Sequence, residues 1–152
     1  MTPEAFARLM DRAYTHMRPW STEEVASSLA TPHTVFFTTT HGGLIARIVA
    51  GECEILSIAT DPVAQRTGVA TGLLDTLLQA AQAQGAERVF LDVARSNAAA
   101  RAFYAAKGFA QVGERHGYYT LRDGRKDDAL LLSRPIGAAT LPTSQGLDAE
   151  SG

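Results

Sequence analysis

The chain has 152 residues, a formal net charge of -2 and a pI near 6.1, and 45% of its residues are hydrophobic. This length predicts a single domain with one well-buried core, and the near-neutral charge argues against a general nucleic-acid binder or a protein that binds membrane surfaces. The N-terminal segment contains acidic residues and no continuous apolar run, and no stretch is long enough to span a bilayer. We therefore expect a cytoplasmic protein, with the single cysteine, Cys53, as a small buried side chain.

The first third of the chain predicts two helices followed by three strands. Apolar residues recur at helical spacing between positions 3 and 17, and Ser21 with Glu24 is typical of a capping box that begins a second helix. Residues 34–60 are rich in β-branched and aromatic side chains and are interrupted by two glycine-containing turns. This pattern predicts three antiparallel strands joined by tight turns.

The middle of the chain alternates between helical and strand patterns. Leucines at helical spacing predict a helix over residues 69–84, and the stretch ERVFLDVA that follows is typical of a buried strand. A further helix is predicted to begin at Ser96 or Asn97, since either side chain can cap a helix, and to end before Gly108.

Two closing strands complete the predicted order of helix, helix, three strands, helix, strand, helix and two strands. The segments FAQVGERHGYYTL and DDALLLSRPI have the composition of these strands. Residues 137–152 are small and polar and predict a disordered tail. The folded domain is therefore expected to comprise residues 1–136.

A polar, glycine-bearing loop joins the third predicted strand to the helix that follows. Its sequence, with the first turn of the helix, is DPVAQRTGVATG at positions 61–72. The first N–H groups of a helix lack internal partners and the helix dipole favours anions there, so such a loop is a typical phosphate site. Gly68 would allow the backbone to approach a ligand closely, although a turn alone can also require glycine.

This loop and a downstream segment together resemble the GNAT superfamily of acetyl-CoA-dependent N-acetyltransferases. The family pattern Q/R-x-x-G-x-G/A is matched by Gln65, Arg66, Gly68 and Ala70, and SNAAARAFYAAKGF follows at the expected distance. The stretches LSIATDP and GYYTLRDGRKDDALLLSRPI are similar to the RimI branch, which acetylates the N-terminal alanine of a small-subunit ribosomal protein. The resemblance implies an α/β (α+β) fold with a mixed, mostly antiparallel sheet of about six to seven strands, flanked by helices and splayed between the fourth and fifth strands.

The resemblance also implies where acetyl-CoA would bind. The pantetheine arm is expected along Ile58, Ala59 and Thr60, where a backbone N–H near Ile58 or Ala59 would stabilise an oxyanion. Asn97 is expected to contact the cofactor, although an asparagine that caps a helix needs no ligand. The pyrophosphate is expected on the backbone N–H groups of Arg66, Thr67, Gly68, Val69, Ala70 and Thr71.

Candidates for the proton transfers follow from the same resemblance. An α-amino group has a pKa of roughly 7.7 to 8.0, so modest help from a base is enough to free the amine. Asp92 lies where the branch has a glutamate base, and Glu54 is the rival because other branches place a base on the preceding strand. Tyr104 matches the family's proton donor to the departing thiolate.

The acceptor and partners are predicted less specifically. Tyr118 and Tyr119 match the branch's acceptor-peptide region, in a loop before the last strands, and packing of an edge strand is the alternative. We expect a protein or peptide N-terminus as acceptor, with a small amine or a non-catalytic acetyl-CoA-binding role as alternatives. The four histidines show no ligand spacing, so no metal is expected. Direct nucleic-acid binding is not expected either. We expect the protein to be a monomer or a weak dimer.

Overall fold

The computed structural model describes residues 1–137, and within this range the elements follow the predicted order. Except for Gly137, the predicted tail of residues 137–152 lies outside the described residues. The helices and strands have the following bounds: α1 Pro3–Ala13, α2 Thr22–Ala30, β1 Thr34–Thr39, β2 Gly42–Val49, β3 Glu52–Thr60, α3 Val69–Ala83, β4 Arg88–Ala94, α4 Ala98–Ala106, β5 Ala110–Thr120 and β6 Lys126–Pro135, with a single 3-10 turn at Pro62–Ala64 before α3.

Side-chain caps fix where two of these helices begin. The capping box predicted for α2 is confirmed, since Ser21 Oγ accepts from Glu24 N at 3.1 Å and Glu24 Oε1 accepts from Ser21 N at 2.8 Å. The cap of α4 is Asn97, whose Oδ1 accepts from Ala100 N at 3.1 Å. Of the two predicted cap residues, Ser96 instead donates from its hydroxyl to Asp127 at 2.6 Å.

The sheet has six strands in the order β1-β2-β3-β4-β6-β5, and β3 with β4 is the parallel pair. This pair is hydrogen-bonded only where Glu52, Cys53 and Glu54 lie opposite residues 88–90. Beyond that point the two strands separate, which opens a wedge towards their C-terminal ends. The predicted splay is therefore present, and in this chain it lies between the third and fourth strands.

A β-bulge in β3 changes the direction of its side chains just before the wedge. Ile45 pairs with Ser57 and Ala46 pairs with Ile55, so Leu56 is the extra residue. Before the bulge Ile55 faces α3 and α4, whereas after it Ser57 faces α1 and donates to Met10 Sδ at 3.3 Å. A bulge of this kind re-aims the strand without ending it.

Two apolar clusters cover the two faces of the sheet. The larger packs α3 and α4 on one face and contains the fully buried Cys53, whose thiol pKa is raised to about 12 by burial. The smaller packs α1 and α2 on the other face, where Phe6 and Phe36 lie 5.2 Å apart. Gly43 permits this contact, because a Cβ there would lie 2.7 Å from Phe6. None of the helices in residues 1–137 is long and apolar enough to cross a membrane.

Candidate functional site

The wedge between β3 and β4 opens into a cleft of about 1540 Å³. It is lined by the C-terminal halves of both strands, the segment between α1 and α2, the loop before α3, the start of α4 and the end of β5. Most of the predicted site residues meet here: Ile58, Ala59, Thr60, Arg66, Gly68, Val69, Ala70, Thr71, Asp92, Asn97, Tyr104, Tyr118 and Tyr119 line the cleft. Thr67 and Glu54 do not.

The loop before α3 presents a row of unused backbone donors to the cleft. Arg66 has φ +66° and Gly68 has φ +91°, and these left-handed conformations curl the chain into the start of the helix. The hydroxyl of Thr67 donates to Ala64 O at 2.5 Å, so this side chain braces the loop. Among the described residues, none accepts a hydrogen bond from the N–H groups of residues 66–71. A concave row of such donors fits a pyrophosphate.

The free edge of β3 forms the adjoining wall. Leu44 and Gly43 of β2 pair with Ile58 and Ala59 on one side, while pairing with β4 has already ended at Glu54. This leaves a strand edge at which an extended ligand can bind as an added strand would.

Tyr14, just after α1, reaches into the same wall. Its hydroxyl donates to Ile58 O at 3.1 Å and lies 3.2 Å from Ser57 Oγ. Burial raises the Tyr14 pKa, and the two hydrogen bonds oppose this only in part. Sequence reasoning missed this residue, because its only signal was an aromatic side chain at the end of an apolar helix.

Tyr104, on α4, has a buried ring and an unused hydroxyl. The ring packs edge-to-face against Phe103 and Phe109, with centroids 5.1 and 5.2 Å away, and the residue is 5% exposed. Burial raises the pKa of the phenol, so it stays protonated at neutral pH. The hydroxyl has no hydrogen-bond partner among residues 1–137, and the residue lines the cleft. It is therefore a proton donor that the fold leaves available.

Asp92 lies within β4, between two buried neighbours. Its side chain is 14% exposed, and Arg115 Nε donates to its Oδ1 at 3.3 Å. The pKa of Tyr119 is raised mainly by burial and further by the negative charge of Asp92. Tyr118 packs against Tyr119 with ring centroids 5.2 Å apart. Both tyrosines lie in the last part of β5, not in a loop as predicted.

Glu54 lies at the closed end of the wedge. Its side chain is 50% exposed, and its nearest cation is Arg47 Nη1 at 3.9 Å. It shares an exposed face with Glu52, and β3 and β4 are still paired at this level. Glu54 therefore does not line the cleft that contains Asp92 and Tyr104.

Comparison with known proteins identifies the fold family. The model of the acetyltransferase (GNAT) family matches residues 5–109. The chain belongs to this family. It is 35% identical to the ribosomal protein bS18-alanine N-acetyltransferase of Escherichia coli (strain K12) over 125 residues, which are 80% of this chain and 84% of the relative. The N-alpha-acetyltransferase RimI of Mycobacterium tuberculosis is 32% identical over 128 residues, 78% of this chain and 77% of that protein.

A solved structure agrees with this assignment. The crystal structure of the ribosomal-protein-S18-alanine N-acetyltransferase from Escherichia coli superposes with a TM-score of 0.77 at 33% identity, covering 89% of this chain and 87% of that chain. This GNAT member is accordingly an N-acetyltransferase that uses acetyl-CoA as its co-substrate. The loop N–H groups and the free β3 edge are the parts of the cleft that fit the pyrophosphate and the pantetheine arm.

Asn97 fits a contact with the cofactor without losing its structural role. Its Oδ1 caps α4, while its amide Nδ2 donates to no described residue and the residue lines the cleft. An asparagine has both acceptor and donor capacity, so one side chain can serve the helix and a ligand at once. The two interpretations that the sequence left open for Asn97 are compatible in this GNAT domain.

Proposed function

We propose that this acetyltransferase acetylates the α-amino group of a protein N-terminus, most specifically the N-terminal alanine of a small-subunit ribosomal protein. The observation that carries the proposal is the 35% identity to a bS18-alanine N-acetyltransferase over four fifths of both chains. A ribosomal acceptor is also consistent with the expected cytoplasmic location.

The shape of the cleft supports an acceptor that enters from the side opposite to acetyl-CoA. The phosphate-binding loop lies at the start of α3, whereas the segment after α1 and the tyrosines of β5 line the other part of the cleft. Acetyl-CoA supplies an acetyl thioester. The protein's own residues have to orient the amine, hold a proton for the leaving sulfur and accept one from the amine.

We assign the base to Asp92 rather than to Glu54. Asp92 lines the cleft and is only 14% exposed, whereas Glu54 lies outside the cleft, near Arg47. An α-amino group with a pKa of roughly 7.7 to 8.0 already has a sizeable neutral fraction at neutral pH, so a carboxylate acting through one water is enough. Arg115 fixes the orientation of this carboxylate by its hydrogen bond to Oδ1.

We assign the acid to Tyr104. Its hydroxyl carries a proton at neutral pH and has no other described partner, so it is free to donate to a thiolate that forms in the cleft. The parent thiol has a pKa of roughly 8.5 by analogy with cysteine, which is below that of the phenol, so the hydroxyl acts by donating a hydrogen bond to the negative charge that develops on the sulfur. The rigid packing of the ring between Phe103 and Phe109 holds the donor in place.

A screen of acceptors tests the proposed function. The purified protein is incubated with acetyl-CoA and either a short alanine-starting peptide, the same peptide with a blocked N-terminus, or a panel of polyamines, aminoglycosides and amino acids. Mass spectrometry measures the acetylated product. We expect the free peptide to be the preferred acceptor and the blocked peptide to be inert. Efficient turnover of a small amine, with no turnover of the peptide, would reject the proposed acceptor.

A further inference from the structure

Arg122 lies in the turn between β5 and β6 and makes an unusual number of contacts with a distant part of the chain. Its Nε donates to Met17 O at 3.1 Å, its Nη1 to Asp11 Oδ1 at 3.2 Å, and its Nη2 to Asp11 O at 2.9 Å and Tyr14 O at 2.7 Å. All four bonds join residues more than one hundred positions apart in the sequence.

Backbone contacts at the same place strengthen the connection. Arg122 N donates to His16 O at 2.9 Å, and Met17 forms an isolated antiparallel bridge with Leu121. The segment after α1 is therefore held against the β5–β6 turn both by backbone pairing and by one guanidinium group. We call this set of contacts between Arg122 and residues 11–17 the Arg122 clamp.

Both sides of the Arg122 clamp continue into the cleft. Residues 12–18 line it from one side and residues 118–120 from the other, while Arg122 itself does not line it. Tyr14 connects the clamp to β3, because its carbonyl accepts from Arg122 and its hydroxyl donates to Ile58 O. The width of this part of the cleft therefore depends on a contact outside it.

The physical chemistry of a helix end explains why arginine suits this position. The last carbonyl groups of α1 have no partners within the helix and carry partial negative charge, so a cation nearby is favourable. A planar guanidinium has five N–H donors and reaches several carbonyls at once, which an ammonium group on a flexible stem does less well. The ion pair with Asp11 is a minor part, because that carboxylate side chain is 65% exposed.

We propose that Arg122 is a positioning residue for the acceptor, holding the two walls of the acceptor part of the cleft at a fixed separation. The inference rests on the proposed function for the identity of the acceptor. It concerns the binding of the acceptor more than that of acetyl-CoA, because the guanidinium contacts neither the loop before α3 nor α4 and reaches β3 only through Tyr14.

Four variants test this role. Arg122→Gln removes the charge and most of the donors, and Arg122→Lys keeps the charge. Arg125→Gln is the matched control, since that guanidinium, in the same turn, donates only to Asp123 among described residues. Asp11→Asn removes the exposed ion pair and leaves the bonds to the carbonyls.

Steady-state kinetics with the alanine-starting peptide give the first measurement. For Arg122→Gln we expect the KM for the peptide to rise about tenfold or more, with the KM for acetyl-CoA changed by less than about twofold. Arg122→Lys should recover part of the affinity for the peptide. Arg125→Gln and Asp11→Asn should stay within about twofold of the parent enzyme.

Hydrogen exchange gives a second measurement that does not depend on the acceptor. Amides of residues 14–18 should exchange about tenfold faster or more in Arg122→Gln than in Arg125→Gln, while amides of α3 stay unchanged. Equal exchange in the two variants, or equal KM values for the peptide, would overturn the inference. If the parent enzyme does not acetylate the peptide at all, the proposed function fails, and the exchange experiment alone decides about the clamp.

Discussion

Replacing Tyr104 by phenylalanine removes one oxygen atom from the lining of the cleft and little else. The ring is packed between Phe103 and Phe109 and stays in place, because the substitution changes neither its size nor its shape. The hydroxyl has no hydrogen-bond partner among the described residues, so its loss leaves no buried group unsatisfied. We therefore expect the free energy of unfolding to change by less than about 0.5 kcal/mol.

The effect on turnover should be much larger. A donor that meets the thiolate only as it departs acts after the ground state has been passed, so its loss lowers kcat rather than the affinity for acetyl-CoA. We expect kcat to fall roughly 10- to 1,000-fold, the range for a general acid that assists a fairly stable leaving group. Because burial raises the pKa of Tyr104, the ratio between parent and variant should stay constant across the neutral range.

The assay combines release of free CoA, calorimetric binding of acetyl-CoA and a thermal melt on the same preparations. Normal turnover by Tyr104→Phe would refute the assignment of the acid. A loss of activity that merely follows a loss of thermal stability would also refute it, since Tyr104 would then be a structural residue.

Gly68→Asp should weaken binding of acetyl-CoA at least tenfold, because it adds a negative charge beside the row of N–H donors. The control is Gly85→Asp, which replaces another positive-φ glycine at the other end of α3 and should leave the affinity unchanged. Equal affinities of the two variants by calorimetry would remove this loop from the site. In steady-state kinetics Asp92→Asn should lower kcat/KM by as much as ~100-fold, whereas Glu54→Gln should have little effect. The reverse pattern would assign the role of general base to Glu54. Since the pKa of Tyr104 is raised from 10.0 by burial, the folded state retains this proton longer than the unfolded chain, so the contribution of Tyr104 to the free energy of unfolding should be constant below about pH 10 and fall above it. Urea titrations should show a smaller alkaline decline for Tyr104→Phe, and an equal decline would contradict the burial of this phenol.

The order of the elements could be predicted from the sequence because its signals are local. A capping box needs only Ser21 and Glu24, which are three positions apart, and helical periodicity with Gly85 beyond it gives the extent of α3. The loop before α3 could be predicted for the same reason, since the glycine, the preceding strand and the following helix are contiguous.

Residues that act through distant contacts could not be predicted in this way. Tyr14 reaches Ile58 across 44 positions and Arg122 reaches Tyr14 across 108, and nothing in the neighbouring sequence indicates either pair. Whether Glu54 belongs to the cleft depends on where β3 and β4 stop pairing, which is a property of the sheet. The bulge at Leu56 is likewise defined only by the partner strand, β2.

A peptide that begins with alanine and also contains a single lysine offers the enzyme both an α-amine and a side-chain amine, so the site of acetylation shows which of them it modifies. The peptide is incubated with the enzyme and acetyl-CoA near neutral pH, and fragmentation in the mass spectrometer locates the modified nitrogen. Because an α-amino group has a pKa of roughly 7.7 to 8.0 and a lysine side chain of about 10.4, the α-amine has far more neutral form available. A parallel incubation without enzyme measures uncatalysed transfer to the same amine. We expect acetylation of the α-nitrogen at a rate well above this control, with the rate reduced in Tyr104→Phe. Acetyl groups on the lysine alone, or on the α-nitrogen at the uncatalysed rate, would contradict it.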